Sequence, residues 1–99
     1  MLAITRRVDQ WVQIGESISV APTDIDDQAV RLIARGRVLG GADDGAAFEK
    51  VAEVSVGGEM RLGDHVVVSV LAIHGEEVRL GVQSPKHVRV GRKERADQK

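Results

Sequence analysis

The sequence predicts an all-β fold built from two related repeats in one chain, and three observations carry that prediction. First, the chain shifted by 48 residues matches itself without a gap: Gly15, Val20, Ile25, Val30, Arg31 and Leu32 fall on Gly63, Val68, Ile73, Val78, Arg79 and Leu80. Ile14 meets Leu62, Glu16 meets Asp64, Ile18 meets Val66 and Gln28 meets Glu76 in the same shift. A fixed internal spacing redefines the folding unit before any element is assigned. Second, the apolar inventory is rich in Val and Ile, with one Trp, one Phe and no Tyr, and β-branched side chains suit a pleated surface. Third, apolar and polar residues alternate between turn signals, the period of half-buried strands.

In chain order, Leu2 to Val8 reads as a strand of alternating character, and Trp11 to Ile14 as a second short one before Gly15. Ile18 and Val20 open a hairpin. Pro22 and Asp24 in its first arm imply an edge, a bulge or an early strand end, because Pro offers no N–H to a ladder. Asp26 and Asp27 make the turn, and Ala29 to Ile33 the return strand. Residues 40–50 are poor in strand formers and read as a linker between a first repeat, 1–39, and a second, 51–99, with one helical turn over Ala46 to Lys50. Its eleven residues, fully extended, reach about 35–40 Å. In the second repeat His65 to Ile73 is a buried strand, His74 to Glu76 a tight turn, and Glu77 to Gln83 an alternating return strand. Ser84, Pro85 and Lys86 break the pairing. His87 to Arg92 alternates again, and from Lys93 onward the chain reads as a short helix or frayed tail.

Ninety-nine residues make one domain, or two units too small to bury separate cores. The 42% hydrophobic and 29% charged composition is that of an ordinary globular protein. No apolar run approaches the roughly 20 residues that span a bilayer, so no membrane association is expected. The absence of Cys excludes disulfides and thiolate metal sites and fits a reducing cytoplasm. So few aromatics exclude a stacking platform as the main mode of nucleic-acid binding. Net charge is −1, but residues 1–49 hold five Arg against eight acids, net −3, and residues 50–99 hold nine cations against seven acids, net +2. Within 79–95 six basic residues face one acid, Glu94. On charge alone the plainer reading of that segment is a solvated surface.

The two repeats have decayed at opposite ends. The first keeps MLAITRRVDQ and the Gly15-Glu16 turn; the second keeps Gly63-Asp64 and VRLGVQSPKHVRVGRKE. These segments resemble the carbon storage regulator (CsrA/RsmA) family of bacterial RNA-binding translational regulators. The resemblance implies five-stranded repeats interleaved as in a family homodimer, here a fused pseudo-dimer forming a β-sandwich or barrel-like body with at most short helices. It also implies that the first strand of one repeat lies beside the last strand of the other, each such pair making one RNA site for a GGA motif in single-stranded or hairpin-loop RNA. Carried over residue by residue, Ile4, Thr5, Arg6 and Arg7 supply one half-site, and Ser84, Pro85, Lys86, Val88, Val90 and Arg92 the other. The reciprocal site has Glu53 and Ser55 where Thr5 and Arg7 match, and Asp44 where Arg92 matches, so phosphate is repelled there.

The expectation is therefore a cytoplasmic, monomeric, non-enzymatic regulator. It takes no cofactor or metal, and its partners are mRNA leaders, regulatory small RNAs and a candidate protein antagonist. The alternative is a protein-interaction module that binds little RNA. Arg31 and Arg79 alternate with inward Val and Leu and read as structural cross-strand residues rather than RNA ligands. Trp11 reads as a core or interface anchor. His65, His74 and His87 lack metal-ligand spacing.

Overall fold

A computed structural model describes residues 1–38, 41–85 and 88–93, the last two of these in backbone only. Among the described residues the fold is all-β, with no helix. Nine strands are present: β1 Leu2–Arg6, β2 Trp11–Ile14, β3 Ile18–Ile25, β4 Ala29–Arg37, β5 Ala47–Ser55, β6 Glu59–Leu62, β7 Val66–His74, β8 Glu77–Gln83 and β9 Val90–Lys93. They form two open antiparallel sheets, β1-β8-β7-β6 and β5-β4-β3-β2-β9, with no closed barrel. The sheets pack face to face as a sandwich, since buried residues from both make one apolar cluster.

The 48-residue shift reappears in three dimensions. Added to Trp11–Ile14 it gives 59–62, the bounds of β6, and added to Ile18 it gives the start of β7. Val12, Ile14, Ile18, Val20, Val30 and Leu32 on one sheet correspond to Met60, Leu62, Val66, Val68, Val78 and Leu80 on the other, all buried. Each such side chain contributes about 1.5–3 kcal/mol relative to exposure. The outer strands are exchanged: β1 of the first repeat joins the second repeat's sheet, and β5 and β9 flank the first repeat's strands.

The proline in β3 marks a bulge: the β3–β4 register shifts between Pro22 and Asp24. The β7–β8 register shifts at the matching place, between Val70 and Ala72, so the irregularity belongs to the fold and not to Pro22. Proline is accommodated because β2 pairs with β3 only as far as Val20; beyond it, the Pro22 carbonyl accepts the Asp9 N–H at 2.9 Å.

Several expectations are corrected. The stretch read as a linker is a tight reversal over 41–46, and the helical turn expected at Ala46 to Lys50 is strand from Ala47 onward, paired along its length with β4. Hydrogen bonds from Asp44 N–H to Gly41 O, Gly45 N–H to Val38 O and Ala46 N–H to Asp43 O close the reversal, and positive φ at Gly41 and Gly45 permits it. The first strand ends at Arg6 rather than Val8, where Asp9 takes φ 68° in the following turn. The last strand starts at Val90 rather than His87; Val88 instead closes a turn on the Pro85 carbonyl at 3.0 Å. The terminal helix or tail expected beyond Lys93 lies outside the described residues.

Candidate nucleic-acid interface

The sequence-predicted residues fall on the edges of the two sheets. β1 is the outer strand of one, paired with β8 in the register Ile4↔Leu80, Thr5↔Arg79 and Arg6↔Val78. β9 is the outer strand of the other, paired with β2 so that Arg92 lies opposite Val12 and Lys93 opposite Trp11. The two strands hydrogen-bond different sheets, because the short β1–β2 turn crosses from one layer to the other.

One side chain spans that crossing. Arg6 is 8% exposed; its Nε donates to the Thr5 carbonyl at 2.8 Å and its Nη1 to the Trp11 carbonyl at 3.3 Å. Because Trp11 is paired with Lys93, Arg6 ties the end of β1 to the strand that carries β9. The family resemblance grouped Arg6 with the RNA-contacting residues, but its guanidinium is turned inward. Trp11 itself is half-buried, with the Arg35 guanidinium 5.0 Å from its ring centroid, a cation–π contact on the sheet surface.

Arg7 is exposed, but its two terminal nitrogens meet acids at the β7–β8 turn: Nη1 and Glu76 at 3.3 Å, Nη2 and Glu77 at 3.1 Å. An exposed pair of this kind is weak and yields to a competing anion, particularly as salt rises. Ile4 is buried in the core and holds β1 against it. Thr5, Ser84, Pro85, Val88 and Val90 are half-buried. Val88 and Val90 pack against the core, so they anchor the approach to β9 rather than expose it. The Gly15 N–H donates to the Arg89 carbonyl at 2.6 Å, and a side chain at Gly15 would crowd Val88, which fixes where β9 begins. Arg92 is placed through its backbone alone, and Lys86 lies outside the described residues.

The reciprocal corner differs in structure as well as charge. β5 carries Glu53 opposite Arg31, where β1 carries Thr5 opposite Arg79. Arg31 also faces Asp24 across β3, whereas Arg79 faces Ala72 across β7. Arg31 thus lies between two acids, and exposed Arg79 lies between two neutral residues beside β1. Sequence reasoning assigned both arginines a structural role; only the register separates them. An open cleft of about 510 Å³ lined by Asp26, Asp27 and Glu53 adds to the negative charge at this corner. Asp26 serves its own turn, accepting the N–H groups of Gln28 and Ala29 at 2.9 Å, and these bonds hold its pKa below the usual 3.8.

The described residues contain no cluster of His, Asp and Glu able to hold a metal ion, and no helix long and apolar enough to cross a membrane. The interleaved strands define an antiparallel sandwich of pseudo-dimeric type. Residues 55–99 match the family described as CsrA, global regulator protein family. Among curated relatives, the Translational regulator CsrA of Thermotoga maritima is 41% identical over 39 residues, 39% of this chain and 47% of that protein. Those of Bacillus velezensis and Exiguobacterium sp. are 43% and 42% identical over 35 and 38 residues, covering 35% and 38% of this chain. The chain thus spans about half the length of the curated relatives it matches, 47%, 47% and 51%. No solved structure matches it.

Proposed function

We propose that the chain is an RNA-binding translational regulator with one composite site, formed where β1 of the first repeat meets β9 of the second. The observation that carries the reading is the Arg6 bridge, which couples the only retained pair of half-sites: Thr5 and Arg7 on one side, Ser84, Pro85 and the Arg92 strand on the other. Such edges offer backbone N–H and C=O groups to the exposed base edges of single-stranded RNA, and arginines supply fixed donors for phosphate or guanine. The ligand is a GGA-containing loop near a start site, and occupancy represses translation. Messenger leaders and small regulatory RNAs share that chemistry. The acidic reciprocal corner takes no RNA, so stoichiometry is one RNA per chain, and residues 1–99 act as one interleaved unit.

The test is a titration of a GGA hairpin against a hairpin with the triplet mutated. One-to-one, sequence-dependent binding is expected, with log affinity falling by roughly 0.7 per neutralised phosphate per log unit of salt. Arg92→Ala weakens binding at least about tenfold without moving the unfolding midpoint, if Arg92 makes a contact of the roughly 1–3 kcal/mol class. A folded Arg92→Ala protein with parental affinity refutes the site. Equal affinity for both hairpins favours instead a protein-interaction module.

A further inference from the structure

β2 and β6 superimpose under the 48-residue shift, yet their neighbours differ. β2 lies between β3 and β9, whereas β6 pairs with β7 alone among the described residues. The first repeat starts along the route that leads its counterpart to β9. Arg89, whose carbonyl accepts the Gly15 N–H, corresponds to Gly41, and a side chain at Gly41 would collide with the Asp64 carboxylate. There the chain turns back into β5 instead of continuing along β6. What remains among the described residues is a sheet edge paired on one side only, beside a cleft of about 310 Å³ with Val38, Phe48, Lys50 and Leu62 in its walls.

An open edge is a template for another strand, and two hydrogen bonds reveal which of its backbone groups face outward. In the first repeat Gly15 donates toward the β9 side, so the alternate residues Trp11 and Gln13 face there too. Their counterparts on the open edge are Glu59 and Arg61. Lys50 Nζ donates to the Arg61 carbonyl at 2.9 Å, from a strand other than β7, in agreement. An antiparallel newcomer must place outward residues opposite outward residues. For a second copy of β6, a two-fold register centred on Glu59 opposes two glutamates, and one centred on Arg61 opposes two arginines. Centred on Met60, it opposes Glu59 and Arg61, and symmetry repeats that favourable contact at both ends. On the longer edge of β5, the register centred on Val51 brings Glu49 against Glu53.

We propose that β6 is a self-recognition edge, where a second copy of this chain adds its own β6 in antiparallel fashion. Glu59 of one protomer then lies opposite Arg61 of its partner, and the two four-stranded sheets become one of eight. Lys50 is the latch: it occupies the Arg61 carbonyl in the single chain and releases it on pairing. Both charged side chains are exposed, 47% and 67%, and already attract one another along the strand at 3.5 Å. The ladder is only four residues long, so association is weak and appears at high concentration. This proposal is independent of RNA binding.

Sedimentation equilibrium across roughly 10 μM to 1 mM, the range of weak contacts, tests it. The parent is expected to dimerise within that range. Glu59→Arg and Arg61→Glu, each placing like charges in both contacts, weaken the dimer at least about tenfold. An equimolar mixture of these two variants restores it, because every contact is again between opposite charges. Lys50→Ala strengthens it. Unchanged unfolding midpoints show that the exposed substitutions leave the fold intact. A parent that stays monomeric throughout overturns the proposal. So does a dimer that survives either charge reversal, or a mixture that fails to associate, since the contact then lies elsewhere.

Discussion

Replacing Arg6 with Met isolates the role of the one buried charge on β1. The stem survives and the guanidinium is removed, so the change takes away the donors that reach the Thr5 and Trp11 carbonyls at 2.8 and 3.3 Å. Replacing a whole buried ion pair by apolar groups is often harmless, because both charges leave together. Here these two acceptors are backbone and remain. A hydrogen bond from a charged donor is worth about 1.5–3 kcal/mol, the longer of the two less, and the methionine recovers some packing. The expected net loss is about 2–3 kcal/mol, which in a domain of about 100 residues lowers Tm by roughly 8–20 °C. Thermal and urea unfolding measure it, with an unchanged m-value showing that the denatured state is not the cause. Because the bridge also sets β1 against β9, RNA affinity should fall at temperatures where the variant is still folded. A Tm within about 2 °C of the parent refutes the bridge as a structural tie.

Two further outcomes follow from local geometry. Gly36 has φ +141°, and a Cβ there would run into the Ser17 carbonyl oxygen, so Gly36→Ala should cost several times the roughly 1 kcal/mol of Gly45→Ala. Gly45, at φ +85°, has open space around it; equal unfolding midpoints for the two variants contradict the packing argument. Asp26 has its folded pKa lowered from 3.8 by backbone bonds from Gln28 and Ala29. Its contribution is therefore complete above the unfolded value and is lost as pH falls through the lower folded value. An NMR titration of its carboxyl carbon should give a midpoint below 3.8, and a midpoint at or above it removes the turn bonds as a source of acid sensitivity.

Much of the fold was legible because period-two alternation and turn chemistry are local. The second repeat's hairpin and the bounds of β2 could be read directly from such runs. The bulge was foreshadowed by Pro22, although its repetition at Val70 shows that sheet geometry produces it without proline. Residues 47–50 were misread because Ala, Glu and Lys have little strand propensity. Their pairing with Ala34, Arg35, Gly36 and Arg37 overrides that preference. At the candidate interface, residue types were legible but their partners were not. Alternation puts Arg6 on the face of Ile4 and Arg7 on the other, but only tertiary pairing brings Arg7 to Glu76 and Glu77 some 70 positions away.

The sequence by itself determined the repeat, the all-β composition, the two apolar faces and the unequal decay of the repeats' ends, since each is a pattern of neighbouring residues or of one fixed spacing. The tertiary structure decided which outer strand joins which sheet, that Arg6 is buried where the second repeat has Val54, and that Arg79 escapes the acids flanking Arg31. It also decided that, among the described residues, β6 pairs on one side only. These are consequences of pairing between residues far apart in the chain, where register, not residue type, fixes what each side chain meets.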